Sequence, residues 1–271
     1  MGTTVRDITN TLQQEVWLIV WSETSTIGKA AESAIAKNFT TITTSKNSNS
    51  QDRMYLDITD VNSIKLFIKE FIQKYPGQKL KVLFLNSGNM MRWDTLHRGN
   101  IFRRVNEWDK DLNTNMHNIL LVESLQREWI IDKDTKVIYN ASVQILVPKP
   151  GTEDYAKVKS MIANILLSDE NLDVTILALS LVKGSKMTET FQKRFEENGG
   201  KMEEYIIQNM PKWQPTLDDV SYITEKIIEN KEVTRGKIVC VDWWITRNLS
   251  KEDKESCICF DRESNTFKEL E

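Results

Sequence analysis

The chain has few of the residues that build metal sites and disulfide frameworks. Its 271 residues include three cysteines and two histidines. Cys240, Cys257 and Cys259 are odd in number and form no regular framework, which is typical of proteins kept in a reducing compartment. A zinc site would need a second cysteine or histidine pair, whereas His97 and His117 are isolated. We therefore predict reduced thiols, no metal site, and histidines that are not catalytic.

Long apolar runs and dense basic runs are also missing. The longest apolar stretches, such as residues 17–21, have the length of a strand, whereas a membrane helix needs about 20 apolar residues. The N-terminal segment lacks the apolar core and the small-residue cleavage site of a secretory signal. The net charge of -3 and the pI near 5.7 provide no field for a phosphate backbone. We expect a cytoplasmic protein without a membrane or nucleic-acid partner.

The composition of the chain is that of a globular protein, with 40% hydrophobic and 28% charged residues. Short β-rich runs alternate with amphipathic helical runs, a pattern that predicts βαβ units and parallel strands. We find no internal repeat and no low-complexity linker. The sequence predicts a single α/β domain over residues 1–250, a doubly wound parallel sheet with helices on both faces. Residues 251–271 are charged and poorly patterned, which predicts a loosely ordered tail.

Continuous apolar runs predict central strands that are buried on both faces. These runs are residues 16–20, 82–85, 137–139, 174–179 and 238–241. A β-branched run at residues 40–44 predicts a second strand, and residues 28–37 predict a helix. Asp60 is expected to cap the next helix, which Pro76 and Gly77 end. Its apolar residues recur at the spacing of one helical face: Ile64, Phe67, Ile68, Phe71 and Ile72.

Polar residues follow three of the predicted strands, where ligands of a doubly wound sheet bind. Residues 22–28 form a strand-to-helix turn whose helix N-terminus can receive a phosphate. Asn86 follows the next strand. Ser142 follows another strand, thirteen residues before Tyr155, and Lys159 completes a Tyr-x-x-x-Lys spacing. A lysine one turn from a tyrosine lowers the pKa of the phenol and makes it an acid/base, although the same spacing also describes an ordinary helix-surface pair.

In order and spacing, the chain resembles the short-chain dehydrogenase/reductase family from about Val16 to Trp244. The matching places are Asp57 within Leu56-Asp57-Ile58, Asn86-Ser87-Gly88, Asn115, Ser142, Tyr155, Lys159 and Thr234-Arg235-Gly236-Lys237-Ile238 leading to Val241-Asp242. The resemblance implies a Rossmann-type three-layer domain. It also implies an NAD(P)-dependent oxidoreductase that transfers hydride between a nicotinamide cofactor and a small carbonyl or alcohol substrate.

The resemblance implies a catalytic role for four residues: Asn115, Ser142, Tyr155 and Lys159. Tyr155 would exchange a proton with the substrate oxygen, and Ser142 would hydrogen-bond that oxygen. Lys159 would lower the pKa of the tyrosine and hold the cofactor ribose. Asn115 would keep a water-linked proton path in place.

The same resemblance implies a set of cofactor contacts: Ser22, Thr26, Ile27, Gly28, Lys46, Asp57, Asn86, Gly88, Tyr155 and Lys159. Asp57 would contact the adenine, and Asn86 and Gly88 would line the cofactor. Lys46 follows the second strand, where a basic side chain can receive the 2′-phosphate of NADP. NADP is therefore the expected cofactor, with NAD as the alternative. Lys46 can also simply cap a solvated loop.

The chain departs from the family at the glycine-rich loop. The family pattern is Thr-Gly-x-x-x-Gly-x-Gly, and Trp21, Ser22, Thr26 and Gly28 stand in those places. A side chain in place of a loop glycine costs on the order of 1 kcal/mol if the backbone shape is kept. Two alternatives follow: a noncatalytic binding or scaffold protein that has lost the dinucleotide, or a non-redox enzyme that keeps the acid/base pair.

Three further features bear on substrate and assembly. Residues 184–213 are helical and occupy the place of the family's substrate-covering lobe, so Met187, Phe191, Phe195 and Met202 can face substrate or core. Trp243 and Trp244 can line the pocket or fill the core. The helix after Tyr155 is expected to be short. That helix packs against a partner subunit in the family, so a short one argues against the family's usual dimer or tetramer, and a homodimer stays an open alternative.

Overall fold

The computed structural model describes residues 16–20, 25–36, 40–46, 53–86, 101–148, 153–197, 199–209, 214–241 and 249–270. In this part of the chain, nine strands form one sheet in the order β3-β2-β1-β4-β5-β6-β7-β8-β9. The strands are β1 Val16–Val20, β2 Thr40–Ser45, β3 Met54–Tyr55, β4 Leu80–Leu85, β5 Lys136–Ser142, β6 Asp173–Leu179, β7 Lys237–Cys240, β8 Cys257–Asp261 and β9 Thr266–Glu269. All neighbours pair in parallel except β8 and β9.

Helices cover both faces of the sheet. They are α1 Thr26–Ile35, α2 Val61–Lys74, α3 Ile101–Arg127, α4 Glu153–Leu167, α5 Lys186–Glu197, α6 Met202–Asn209, α7 Leu217–Glu229, α8 Lys231–Thr234 and α9 Lys251–Ser256. One core lies between the sheet and helices α2, α3 and α4. The other lies between the sheet and helices α1 and α7. The predicted doubly wound, three-layer architecture is confirmed.

Burial on both faces explains why the central strands are continuous apolar runs. Leu18 packs into the first core and Ile19 into the second, because successive side chains of a strand point to opposite faces. Leu83 and Phe84 of β4 divide between the cores in the same way. A strand covered on one face alone would alternate apolar and polar residues instead.

Helix α2 follows the prediction at its start and differs at one position on its face. Asp60 accepts a hydrogen bond from the backbone N–H of Asn62 at 2.9 Å and caps the helix. The helix ends at Lys74, and Gly77 then adopts a left-handed conformation with φ +72°. Ile72 was predicted on the buried face, but it is exposed because it lies at the edge of the apolar stripe.

The predicted loose tail at residues 251–271 is wrong. Helix α9 leads into β8, which pairs in parallel with β7, and β9 pairs antiparallel with β8. Cys257, Ile258, Cys259 and Phe260 are at most 4% exposed. This four-residue apolar run stands between charged segments, so the composition of the whole segment concealed it. The sheet therefore continues beyond residue 250, and the three cysteines are buried thiols within β7 and β8.

None of the described helices combines the length and the apolar composition that crossing a membrane requires.

Candidate active site

The strand registers bring the ends of four strands to one edge of the sheet. Val20 at the end of β1 is paired with Leu85 of β4, and Leu85 is paired with Tyr139 of β5. Ser142, the last residue of β5, is paired with Leu179, the last residue of β6. The segments that follow these strands therefore meet at the carboxyl edge, where ligands of doubly wound sheets bind.

Lys159 on α4 reaches this edge as an almost fully buried ammonium. Its exposed fraction is 4%, and its Nζ donates a hydrogen bond to the carbonyl oxygen of Asn140 at 3.3 Å. The Nζ also lies 4.8 Å from the ring centroid of Tyr139, within cation–π range. Burial lowers the pKa of Lys159 to about 8, because a charged amine is poorly solvated there. The side chain is still mostly protonated at neutral pH.

Tyr155 begins the same face of α4, one turn before Lys159, and is half-buried. Tyr139 of β5 lies close to both side chains. Burial raises the pKa of Tyr139 well above its usual value, and the neighbouring charge of Tyr155 raises it further. Tyr139 therefore remains a neutral phenol at physiological pH, and the face of its ring lies next to the Lys159 ammonium.

Ser142 and Asn115, two predicted catalytic residues, lie on β5 and α3. Ser142 is 7% exposed, and its Oγ accepts a hydrogen bond from the N–H of Gln144 at 3.3 Å. A hydroxyl that accepts in this way can still donate its own hydrogen to a substrate oxygen. Asn115 on α3 is 1% exposed, and its carbonyl oxygen accepts a hydrogen bond from Asn118 Nδ2 at 3.0 Å.

Asn86 joins the turn after β1 to strand β5. Its Nδ2 donates to Ser25 Oγ at 2.6 Å, and its Oδ1 accepts from Asn140 Nδ2 at 2.5 Å. Ser25 caps α1, since its Oγ also accepts from the N–H of Gly28 at 3.1 Å. Sequence reasoning missed Ser25 and Asn140. Serine directly before a helix and an asparagine within an apolar strand were signals for both.

Thr26 and its neighbours form the first turn of α1. Ile27 and Gly28 are buried, whereas Thr26 is half-buried. The hydroxyl of Thr26 accepts a hydrogen bond from the backbone N–H of Lys186 at 3.2 Å. Lys186 begins α5, so a side chain in the place of a family glycine bridges the turn after β1 to the predicted substrate lobe.

Lys46 and Asp57, two predicted cofactor contacts, form an ion pair at the end of β2. The Lys46 Nζ lies 3.4 Å from Asp57 Oδ2, and the Lys46 side chain is 66% exposed. Asp57 also accepts hydrogen bonds from the N–H and the Oγ1 of Thr59. Burial alone would raise the pKa of Asp57, but the bonds from Thr59 and the charge of Lys46 lower it. Asp57 is therefore charged near neutral pH.

The predicted substrate lobe is held together by aromatic rings. Phe191 and Phe195 of α5 lie 5.7 Å apart, and Tyr205 of α6 lies 5.5 Å and 5.3 Å from them. Met202 is buried at 5% exposure and Met187 is 37% exposed. Both phenylalanines therefore hold helices α5 and α6 together.

Several predicted residues lie outside the described part of the chain: Ser22, Gly88, His97, Trp243 and Trp244.

No family model and no curated protein matches the sequence. Solved structures do match. A short chain dehydrogenase family protein from Francisella tularensis is 16% identical, with a TM-score of 0.67 over 87% of this chain and 100% of that chain. The actinorhodin polyketide ketoreductase with NADPH is 13% identical, with a TM-score of 0.69 over 84% and 96%. The 3-ketoacyl-(acyl-carrier-protein) reductase from Brucella melitensis, complexed with NADH, is 14% identical, with a TM-score of 0.62 over 84% and 96%.

The chain has the fold of short-chain dehydrogenase/reductase structures. The resemblance predicted from the sequence is confirmed at the level of the fold, over most of this chain and nearly all of each related structure.

Proposed function

We propose that the chain is an NAD(P)-dependent oxidoreductase acting on a small carbonyl or alcohol. The observation that carries the proposal is the buried ammonium of Lys159 next to Tyr155. Within the described part of the chain, Asn140 is its one hydrogen-bond acceptor, although an ammonium has three donors. A buried charge with so few partners is unfavourable unless a ligand completes its hydrogen bonds. The hydroxyls of a cofactor ribose are acceptors that fit this need.

The residues at the carboxyl edge divide the proton chemistry among them. Tyr155 gives a proton to the substrate oxygen during reduction, or takes one during oxidation. Ser142 donates a hydrogen bond to the same oxygen and orients it. The positive charge of Lys159 favours the phenolate of Tyr155 and so assists proton transfer. Asn115, buried on α3, keeps the water-linked proton path to the lysine in place. The nicotinamide supplies or accepts the hydride when it is bound.

NADP is the proposed cofactor, and Lys46 is the reason. The ammonium is exposed, and a pair with Asp57 at 3.4 Å is weak enough to open. A 2′-phosphate would carry more charge than the carboxylate and compete for the ammonium. Related structures have been solved with NADPH and with NADH, so NAD remains the alternative.

The proposed setting is cytoplasmic, with a small molecule as the substrate. The proposed assembly is a homodimer, for which Met161 and Ile165 on α4 offer an apolar contact, since they are 38% and 39% exposed. Helix α4 spans 15 residues, and a short helix limits the area that such a contact buries.

A noncatalytic binding protein is the second candidate, favoured by the contacts at the first turn of α1. Ser25 Oγ already accepts from the N–H of Gly28, one of the donors that a phosphate would use. Thr26 is bonded to Lys186 across the crevice. A dinucleotide at this turn must separate Thr26 from Lys186.

Fluorescence of the eight tryptophans, measured while NADPH or NADH is added, distinguishes the two candidates. The oxidoreductase should bind one dinucleotide at micromolar levels. Tyr155→Phe should keep that affinity and lower turnover of a panel of carbonyl compounds at least about 100-fold. Tyr222→Phe is the matched control, since it removes a hydroxyl that donates to Asn265 in the turn between β8 and β9, away from Tyr155 and Lys159 in the strand order. Failure of both dinucleotides to bind at millimolar concentration would contradict the proposal.

Thr26→Gly should tighten dinucleotide binding about five- to tenfold. The change removes the hydroxyl that accepts from the Lys186 N–H, and one hydrogen bond of this kind is worth about 1 kcal/mol. Thr26→Ser keeps the hydroxyl and should leave the affinity near that of the wild type. Equal affinities for the glycine and serine variants would show that the contact does not oppose binding.

A further inference from the structure

Asn140 is a half-buried polar residue within an apolar strand. Its chain neighbour Tyr139 is fully buried, and so is Leu177, its partner residue on β6. An amide in such a place requires hydrogen-bond partners, because an unpaired buried polar group is costly. The partners that Asn140 has therefore indicate what the residue does.

The side chain of Asn140 is tied to the beginning of α1. Its Nδ2 donates to Asn86 Oδ1 at 2.5 Å, and Asn86 Nδ2 donates to Ser25 Oγ at 2.6 Å. Ser25 Oγ in turn accepts from the N–H of Gly28. Three consecutive hydrogen bonds thus connect β5 through the end of β4 to the first turn of the helix.

The main chain of Asn140 is tied to Lys159. Its carbonyl oxygen is the acceptor of the Lys159 Nζ hydrogen bond at 3.3 Å. One residue therefore holds the first turn of α1 with its amide and the ammonium with its carbonyl. Asn140 Oδ1 is buried and has no partner in the described part of the chain, so the amide is oriented by its Nδ2 alone.

We propose that Asn140 is a positioning residue that fixes the ammonium of Lys159 relative to the N-terminus of α1. The inference rests on the proposed function. A dinucleotide would place its diphosphate at the helix N-terminus and its nicotinamide ribose at Lys159. The spacing between these two contacts is then set by the Ser25, Asn86 and Asn140 side chains, and the site is preorganised before the ligand arrives.

A purely structural role for Asn140 predicts a different result. If the Asn140 amide only satisfied the hydrogen bonds of its neighbours, replacing it would change the free energy of unfolding and leave the pKa of Lys159 unchanged. A positioning residue also changes the environment of Lys159. Without the hydrogen bond from Asn140 to Asn86, the end of β5 is held less firmly, and the Asn140 carbonyl bonds less well to the Lys159 ammonium. Because that bond favours the charged form, the pKa of Lys159 then falls further.

The test measures the pKa of Lys159 and the affinity for NADPH in the full chain. The side-chain nitrogens of 15N-lysine-labelled protein are followed by NMR from pH 6 to pH 10, and Lys159→Arg identifies the signal. Asn140→Leu should lower the pKa of Lys159 by about half a pH unit or more. It should also weaken NADPH binding about tenfold. Asn86→Leu removes the acceptor of the same hydrogen bond. It replaces Asn140→Leu in the test if that variant does not fold.

Thr224→Val is the matched control. Thr224 is buried, and its Oγ1 donates to the carbonyl oxygen of Val220 at 2.7 Å within α7. This variant should lose stability with no change at Lys159. If Asn140→Leu and Asn86→Leu both leave the pKa of Lys159 unchanged, the inference is overturned, whatever their affinity for NADPH. If the pKa falls while wild-type protein fails to bind either dinucleotide, Asn140 still positions Lys159 and the proposed function fails by itself.

Discussion

Asp173→Asn is expected to lower the free energy of unfolding by about 3–5 kcal/mol, the cost of breaking a buried ion pair from one side. Asp173 Oδ1 accepts a hydrogen bond from Lys136 Nζ at 2.8 Å, and the two side chains are 8% and 0% exposed. Burial lowers the pKa of Lys136, and the charge of Asp173 opposes that effect. Asparagine would leave the buried ammonium without a counter-charge, because its amide oxygen and Thr234 Oγ1, which lies 2.9 Å from Lys136 Nζ, are neutral acceptors.

Urea unfolding of the purified variant measures this loss. Glu204→Gln is the control. Lys201 Nζ lies 2.7 Å from Glu204 Oε1, but the two side chains are 76% and 60% exposed. Exposed pairs contribute little, so this variant should change the free energy of unfolding by less than about 1 kcal/mol. Replacing both members of the buried pair, as in Lys136→Met with Asp173→Leu, should restore much of the stability. A loss below about 1 kcal/mol for Asp173→Asn would contradict the prediction.

The position of this ion pair explains its role in the fold. Lys136 and Asp173 are the first residues of β5 and β6, and they are paired in register. They lie at the edge of the sheet opposite the candidate active site. Thr234 at the end of α8 bonds to Lys136, so the pair also fixes the segment that leads into β7. A folded Asp173→Asn variant should therefore have the same affinity for a dinucleotide as the wild type, whatever that affinity is.

Most of the sheet was predictable because its strands are buried on both faces. Such strands carry apolar residues at most positions, and a continuous run such as residues 82–85 is visible without knowledge of its neighbours. Strand β8 was not predictable in this way. Its buried run of four residues follows the charged helix α9 and precedes a charged turn, and its burial depends on β7, which is distant in sequence.

The candidate site was predictable where its residues are related by local spacing. Tyr155 and Lys159 are one helical turn apart, and that spacing exists before any tertiary contact forms. Partners across strands are different. Asn140 contacts Asn86 because β4 and β5 are neighbours in a particular register, and Thr26 contacts Lys186 across 160 residues. No pattern within one segment specifies such a partner.

Tyr139 shows a third reason why a site residue cannot be predicted from the sequence. In the sequence it is one apolar residue of a buried strand, and its prediction as core is correct. Its position under the ammonium of Lys159 depends on how α4 packs on β5. The same side chain therefore belongs to the core and to the site.

Lys159→Met is expected to raise the free energy of unfolding by about 3 kcal/mol at pH 7. The pKa of Lys159 falls from its ordinary 10.5 to about 8 in the folded chain. That difference is about 2.5 pH units, each worth about 1.36 kcal/mol. Methionine has a similar length and no charge to bury. The stabilised variant should have lost the proposed activity, since the ammonium that destabilises the fold is the group that the proposed function requires.

The pH dependence of the stabilisation identifies its cause. Below pH 8 the lysine is protonated in both the folded and the unfolded chain, and the whole penalty is present. Between pH 8 and 10.5 the folded chain releases its proton first, so wild-type stability rises with pH and the advantage of Lys159→Met shrinks. Lys157→Met, an exposed neighbour on α4, should show neither effect. Unfolding measured at pH 7 and pH 9.5 separates the alternatives: an advantage that is equal at both would mean that packing, not the buried charge, stabilises the variant.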